Sequence, residues 1–380
     1  MDRKSHFTNA RRLVVKVGSN VLTKAQGLNL PVMYALSGQV SALMDTGREV
    51  ILVSSGAMAS GMNKIGLDRR PDEIPKRQAI SAVGQAGLIR EYEKAFHVYG
   101  RKVAQILLTS EDLDDRQRYL NGRNTLNTLI DWRVVPVINE NDTVMVEEIK
   151  VGDNDNLAAM ITLLMDADLL ILLTDIDGLF TRDPRVHPDA RLIPEIAELD
   201  SKVEKMASDI PGPLGRGGMS SKVKAARKVT AAGVPMVIAD GTKPDILKTL
   251  MQGDTGGTFF VPSGARLASR KSWIAYTLKP KGTIQIDAGA AEAIIGKGKS
   301  LLPRGIVGVE GDFLKGAPVT LKTPACADIG TGLVNYSAAD IQKIKGLHTD
   351  AVEQCLGEKP YDEVIHRDNL ALTYKESAPD

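Results

Sequence analysis

Residues 168–174 read DLLILLT, and the apolar run at 169–173 leaves no polar position for either face of a strand. A strand with one face in water alternates apolar and polar residues. One that is apolar throughout is buried on both faces, as inside a parallel sheet. The run is far shorter than the roughly 20 residues of a membrane helix, and Asp166, Asp168 and Asp175 bracket it. Comparable stretches are RLVVKV (12–17), EVILVSS (49–55), KVAQILLT (102–109), RVVPVIN (133–139) and VPMVIAD (234–240). Helix-like segments fall between them at 32–45, 79–96, 119–131, 155–166 and 220–232. The alternation predicts an α/β fold: a doubly wound, mainly parallel sheet with helices on both faces. Such sheets bind ligands at the carboxyl ends of their strands.

The pattern changes near residue 275, where short strands and frequent glycines predict a small, mainly β module. For a chain of 380 residues we expect a first domain at 1–262, a linker at 263–275, a second domain at 276–360 and a tail at 361–380. Lys plus Arg (48) nearly balances Asp plus Glu (47), which gives no global attraction to nucleic acid or anionic membrane. Residues 281–367 carry ten basic and eleven acidic side chains, a poor footprint for RNA. Two cysteines without metal spacing, and an N-terminus without an apolar signal core, fit a reducing cytoplasm.

Polar motifs cluster where the predicted strands end. VVKVGSN (14–20) places Lys16 inside an apolar strand, then Gly18, Ser19 and Asn20. A lysine there calls for an anion unless the strand lies at an edge and the ammonium reaches water. VSSGAMASG (53–61) follows the second strand with Ser54, Ser55 and Gly56, either an anion-binding turn or an ordinary helix cap. VINENDTV (137–144) supplies Asn139, Glu140, Asn141 and Asp142, and VGDNDNLAA (151–159) supplies Asp153, Asn154, Asp155 and Asn156. Together these amides and acids suit a substrate that carries both an ammonium and a carboxylate, though each alone reads as an Asx-turn. LLTDIDGLFTRDP (172–184) ends a strand at Thr174 and Asp175. Counting twelve positions from Asp175 reaches Val186 rather than a glutamate, which excludes a calcium loop. GPLGRGGMSSKVKAA (212–226) is a glycine-rich loop entering a helix that carries Lys222. AIIGKGKS (293–300) fits a relaxed phosphate-loop pattern but follows an Ala-rich helical stretch instead of a strand, so it reads as a chance match.

In this order, VVKVGS, SSGA, VINENDTV, KVGDNDNLAA, LLTDIDGLFTRDPR and GRGGMSSKV resemble the amino acid kinase family over residues 12 to about 260. The pairing of INEND with GDNDN points to its glutamate-phosphorylating branch, and the C-terminal part resembles a PUA domain. The resemblance implies ATP-dependent phosphorylation of the γ-carboxylate of glutamate, the first step of proline synthesis, with Mg²⁺. It implies catalytic roles for Lys16, Lys222 and Asp155. ATP would be bound by Lys16, Gly18, Ser19, Thr174, Asp175, Arg216, Gly217, Gly218, Met219, Ser220, Ser221 and Lys222, and glutamate by Ser55, Gly56, Asn139, Asp142 and Asn154. No protein metal ligand is expected. The implied partners are a glutamyl-phosphate reductase, proline as feedback inhibitor and further copies of the chain. The alternatives are a family member acting on another carboxylate, a carbamate or UMP, and an RNA-binding protein using the PUA-like part.

Overall fold

The computed structural model describes residues 2–24, 27–144, 154–208, 218–254, 256–263, 269–276, 278–325 and 327–372. The chain divides into two compact units, Met1–Arg266 and Leu267–Asp380.

The first unit is built on β1 (Arg12–Val17), β4 (Glu49–Ser54), β5 (Val103–Leu108), β6 (Val135–Glu140), β7 (Leu169–Thr174), β8 (Glu195–Ile196), β9 (Met236–Asp240) and β10 (Thr258–Phe260), with a two-residue hairpin of β2 (Thr23–Lys24) and β3 (Gly27–Leu28) set apart. The sheet order is β5-β6-β4-β1-β7-β9-β10-β8, and every pairing is parallel except β9 with β10. All but one of the continuously apolar stretches are interior strands: β7 has all six residues buried, and β1 is buried from Leu13 to Val17. The edge strand β5 is only partly covered.

Strand β1 lies between β4 and β7, which makes it the switch point. On one side the chain lays down β4, then the edge strand β5, then β6 between them, and it crosses to the other side through β7 and β9. Crossover connections diverge there and open a crevice beyond the strand ends. Lining that crevice are the ends of β1, β4, β6 and β7 and the starts of two helices, Asn154–Leu164 and Met219–Ala231. The helix Ile74–His97 is held against the helix Ala57–Ile65 at glycines: a Cβ on Gly84 would sit 1.8 Å from the Ala57 carbonyl oxygen.

The second unit has a five-stranded sheet in the order β12-β11-β13-β14-β15, from β11 (Thr283–Ile286), β12 (Ile306–Glu310), β13 (Pro318–Lys322), β14 (Asp328–Leu333) and β15 (Leu370–Leu372). Its core gathers Ile284, Val319, Ile329, Ile341 and Ile365. Two boundaries differ from the sequence expectation. Part of the expected linker is the helix Ser269–Tyr276, in which Trp273 and Ile274 are buried. Strand β15 falls in the expected tail, because Leu370 and Ala371 bury themselves while pairing with β14. The segment AIIGKGKS spans the end of the helix Ala288–Lys297 and its left-handed cap Gly298, so it makes no strand-to-helix phosphate loop. No helix of the described residues is long and apolar enough to cross a membrane.

Candidate active site

Lys16 sits near the carboxyl end of the central strand, in register with Val53 of β4 and Leu172 of β7, and is 6% exposed. That removes the edge-strand reading of its ammonium. Its Nζ lies 2.6 Å from Asp155 Oδ1. Lys222, in the first turn of its helix, donates from Nζ to Asp155 Oδ2 at 3.1 Å, and the Ser221 hydroxyl donates to the same oxygen at 2.6 Å. Burial alone would raise the Asp155 pKa. The two ammonium groups and the Ser221 hydroxyl reverse this and hold the carboxyl far below the usual range. Two buried ammonium groups thus share the Asp155 carboxylate, beside two helix N-termini whose dipoles favour negative charge. The arrangement is built to receive an anion.

Beside it, Gly18 N donates to the Leu173 carbonyl at 2.9 Å, and a Cβ on Gly18 would lie 3.1 Å from that oxygen. Asp175 is gripped from two sides, by Thr174 Oγ1 at 3.1 Å and by Asn20 Nδ2 at 2.9 Å. Ser19 is exposed, Met219 is buried, and Gly218 and Ser220 are half-buried at the helix start. Arg216 and Gly217 lie outside the described residues, as does Asp153.

The other side of the crevice is rich in amides. Gly56, at φ 105° in the left-handed region that glycine alone enters freely, turns β4 into the helix Ala57–Ile65. The two serines before it separate. Ser54 turns inward, its Oγ 2.9 Å from the Tyr92 hydroxyl, whereas Ser55 Oγ accepts from Asn154 Nδ2 at 3.0 Å. Asn154 Nδ2 also reaches the Ser54 carbonyl at 3.0 Å and Asn139 Oδ1 at 3.1 Å. Asn139 accepts from Glu140 N at 2.9 Å and donates to Gln85 Oε1 at 2.8 Å. Asp142 follows at the edge: burial raises its pKa, opposed by a hydrogen bond from Ser81 and the charge of Arg70.

A family model described as the amino acid kinase family matches residues 11–240, and one described as the PUA domain matches 282–356. A protein of Syntrophus aciditrophicus named glutamate 5-kinase is 50% identical over 371 residues, covering 98% of this chain and 96% of that protein. One of Meiothermus ruber with the same name is 51% identical over 362 residues, covering 95% and 96%. The chain belongs to the amino acid kinase family. Among solved structures, a carbamate kinase from Giardia lamblia aligns with TM-score 0.48 and 16% identity, covering 67% of this chain and 99% of that one. An isopentenyl phosphate kinase aligns with TM-score 0.47 and 18% identity, covering 66% and 100%.

Of the residues singled out from the family's motifs, Lys16, Lys222, Asp155 and Ser221 come together as one ionic cluster. Ser55, Asn139 and Asn154 form one hydrogen-bonded group. Asn20, named in the sequence only as part of the turn, holds Asp175. Two contributors escaped the sequence reading: Gln85 holds Asn139, and Lys228 donates to Asn156 Oδ1 at 2.8 Å. Gln85 did leave a trace. Arg77, Ser81 and Gln85 stand four residues apart on the helix Ile74–His97, and all are buried. A polar stripe at helical spacing on a buried face demands partners.

Proposed function

We propose that this chain transfers the γ-phosphoryl group of ATP to the γ-carboxylate of free L-glutamate, forming L-glutamyl 5-phosphate and ADP, the first step of proline biosynthesis. The observation that carries this is the buried Lys16–Asp155–Lys222 cluster set against a neutral amide group at the switch point of the sheet. The substrate oxygen forms a bond to the γ-phosphorus as the bond to the β–γ bridging oxygen breaks. The carboxylate is ionised at neutral pH, so no general base is needed. Positioning and neutralisation of the charge on the transferring group remain for the protein to supply.

In this reading Lys16 and Lys222 bind the phosphates and Asp155 keeps both ammonium groups aimed at one point. Thr174, Asp175, Gly18, Ser19 and residues 216–221 line the nucleotide. Ser55, Gly56, Asp142 and Asn154 hold glutamate, with Asn139 behind them. Asn154 Oδ1 favours this division, being buried without a hydrogen-bond partner among the described residues, so it suits an incoming ammonium. Mg²⁺ would supply further charge neutralisation. Among the described residues no three acidic, His or Cys side chains group into a metal site. The ion's charge would be supplied at the nucleotide's phosphates. We assign this chemistry to residues 1–262 and the PUA-like part to 276–360. A cytoplasmic location, delivery of the acyl phosphate to a glutamyl-phosphate reductase, inhibition by proline and assembly of identical chains belong to the same reading and rest on the family resemblance.

Hydroxylamine trapping tests it. Glutamate with MgATP should yield a hydroxamate, and aspartate or N-acetylglutamate far less. Equal turnover of N-acetylglutamate would refute the assignment of the amide cluster to a free ammonium.

A further inference from the structure

Resting on that reading, we propose that Gln85 is a positioning residue. Through Asn139 it sets the direction of the Asn154 carboxamide, so that the site presents one hydrogen-bond donor beside one acceptor and reads the zwitterionic head of an α-amino acid. The chain of contacts begins at Gln85 Oε1, which takes a hydrogen from Asn139 Nδ2 at 2.8 Å. This turns Asn139 Oδ1 the other way, where it accepts from Glu140 N at 2.9 Å and Asn154 Nδ2 at 3.1 Å. Asn154 Nδ2 faces three acceptors: Asn139 Oδ1, the Ser54 carbonyl and Ser55 Oγ. An amide nitrogen carries two hydrogens and no free lone pair.

Two consequences follow for the groups that remain. Ser55 meets Asn154 as an acceptor, so its own hydroxyl hydrogen must point elsewhere and is available to a carboxylate. Asn154 Oδ1, buried and without a partner among the described residues, can only accept, and a carboxylate placed against it would be repelled. Donor and acceptor stand on adjacent side chains joined by a 3.0 Å hydrogen bond. An α-carboxylate on Ser55 and an α-ammonium on Asn154 Oδ1 match that pattern, with the Asp142 carboxylate offering the ammonium a counter-charge. Gln85 touches no substrate. Its part, together with the Glu140 N–H that also holds Asn139 Oδ1, is to keep the relay from reversing, because an Asn139 amide turned around would set N–H against N–H at Asn154.

The test is a double-mutant cycle on the full-length protein, read by hydroxamate formation. Gln85→Met removes the acceptor at similar volume. It should raise the glutamate KM roughly tenfold, the scale of losing one hydrogen bond to a charged group, and leave the ATP KM unchanged and kcat within about threefold. In an Asn139→Asp background the same change should cost clearly less than in the wild type, since a carboxylate at 139 accepts from Asn154 whether or not Gln85 is present. Equal penalties in both backgrounds would mean that Gln85 merely supports packing. An unchanged KM in the wild-type background would also overturn the proposal. Should Gln85→Met fail to fold, Gln85→Glu keeps an acceptor and should hold the glutamate KM within about threefold; a tenfold rise would overturn the relay. A wild-type protein that makes no hydroxamate from glutamate would instead refute the proposed function.

Discussion

The two units bury their apolar cores by the same physics and differ in what else they bury. Among the described residues of the second unit no charged side chain is buried, and the buried polar groups are Thr331 and the polar tips of the aromatic Tyr336 and Trp273. The first unit encloses Lys16, Asp155, Lys222, Arg77, Glu140, Asn139, Asn154 and Gln85, largely at one end of its sheet. Taking a charge out of water costs several kcal/mol even when it is paired, and hydrophobic replacements are often no less stable. A unit that needs only to fold has no use for such groups, and the second unit does without them. In the first they sit where four strands end and two helices begin. Buried charge thus marks the candidate site in the first unit and is what sets the two units apart.

Lys222→Ala cuts deepest into that contrast. Its ammonium is best used when charge moves onto the transferring phosphoryl group, so kcat should fall at least ~100-fold, the scale of losing one preorganised electrostatic group. Steady-state rates on the folded variant measure it, and a loss confined to the ATP KM would demote Lys222 to ground-state binding. Next in size is Asp142→Ala, which should raise the glutamate KM about tenfold through loss of a contact to a charged group and spare the ATP KM. The reverse result would exchange the two halves of the site.

A pH series on Asp155→Asn sharpens the comparison further. The folded pKa of Asp155 lies below its ordinary value of 3.8, so its ionised form stabilises the fold in full above about pH 4 and loses that effect as the pH falls. The unfolding free energy of the wild type should exceed that of Asp155→Asn at neutral pH, and the gap should shrink below about pH 4. A gap that stays constant in acid would show that the cluster owes nothing to the charge of Asp155. The smallest change is expected from removing the second unit. A chain ending at residue 262 should keep glutamate kinase turnover within about threefold, because each polar group assigned to the reaction lies before that point. Complete loss in a soluble, folded truncation would mean that the second unit completes the site.

The comparison also separates what could be read along the chain from what could not. Strands β1, β4, β6, β7 and β9 fall on the continuously apolar stretches, because burial on both faces leaves an unbroken mark in sequence. Strand β5 falls on one although it is an edge strand with Gln105 and Leu107 exposed. Short pieces such as β8, β10 and β15 escaped, since two or three residues carry no period. Within the site, Lys16, Asp155 and Lys222 stood out as charges in apolar or glycine-rich surroundings. Gln85 and Asn20 did not, because a glutamine or asparagine is unremarkable until its partner is known.

What the linear order of residues settled by itself is therefore the alternation of strands and helices and the placing of polar motifs at strand ends; both follow from local periodicity. Folding decided the rest. Only the sheet order makes β1 central and so denies Lys16 water, and only that burial turns Asp155 into the shared partner of lysines 139 and 67 residues away from it. The directions of the Asn139 and Asn154 amides are likewise properties of packing: an amide has two ends of nearly equal shape, and only its neighbours decide which end donates.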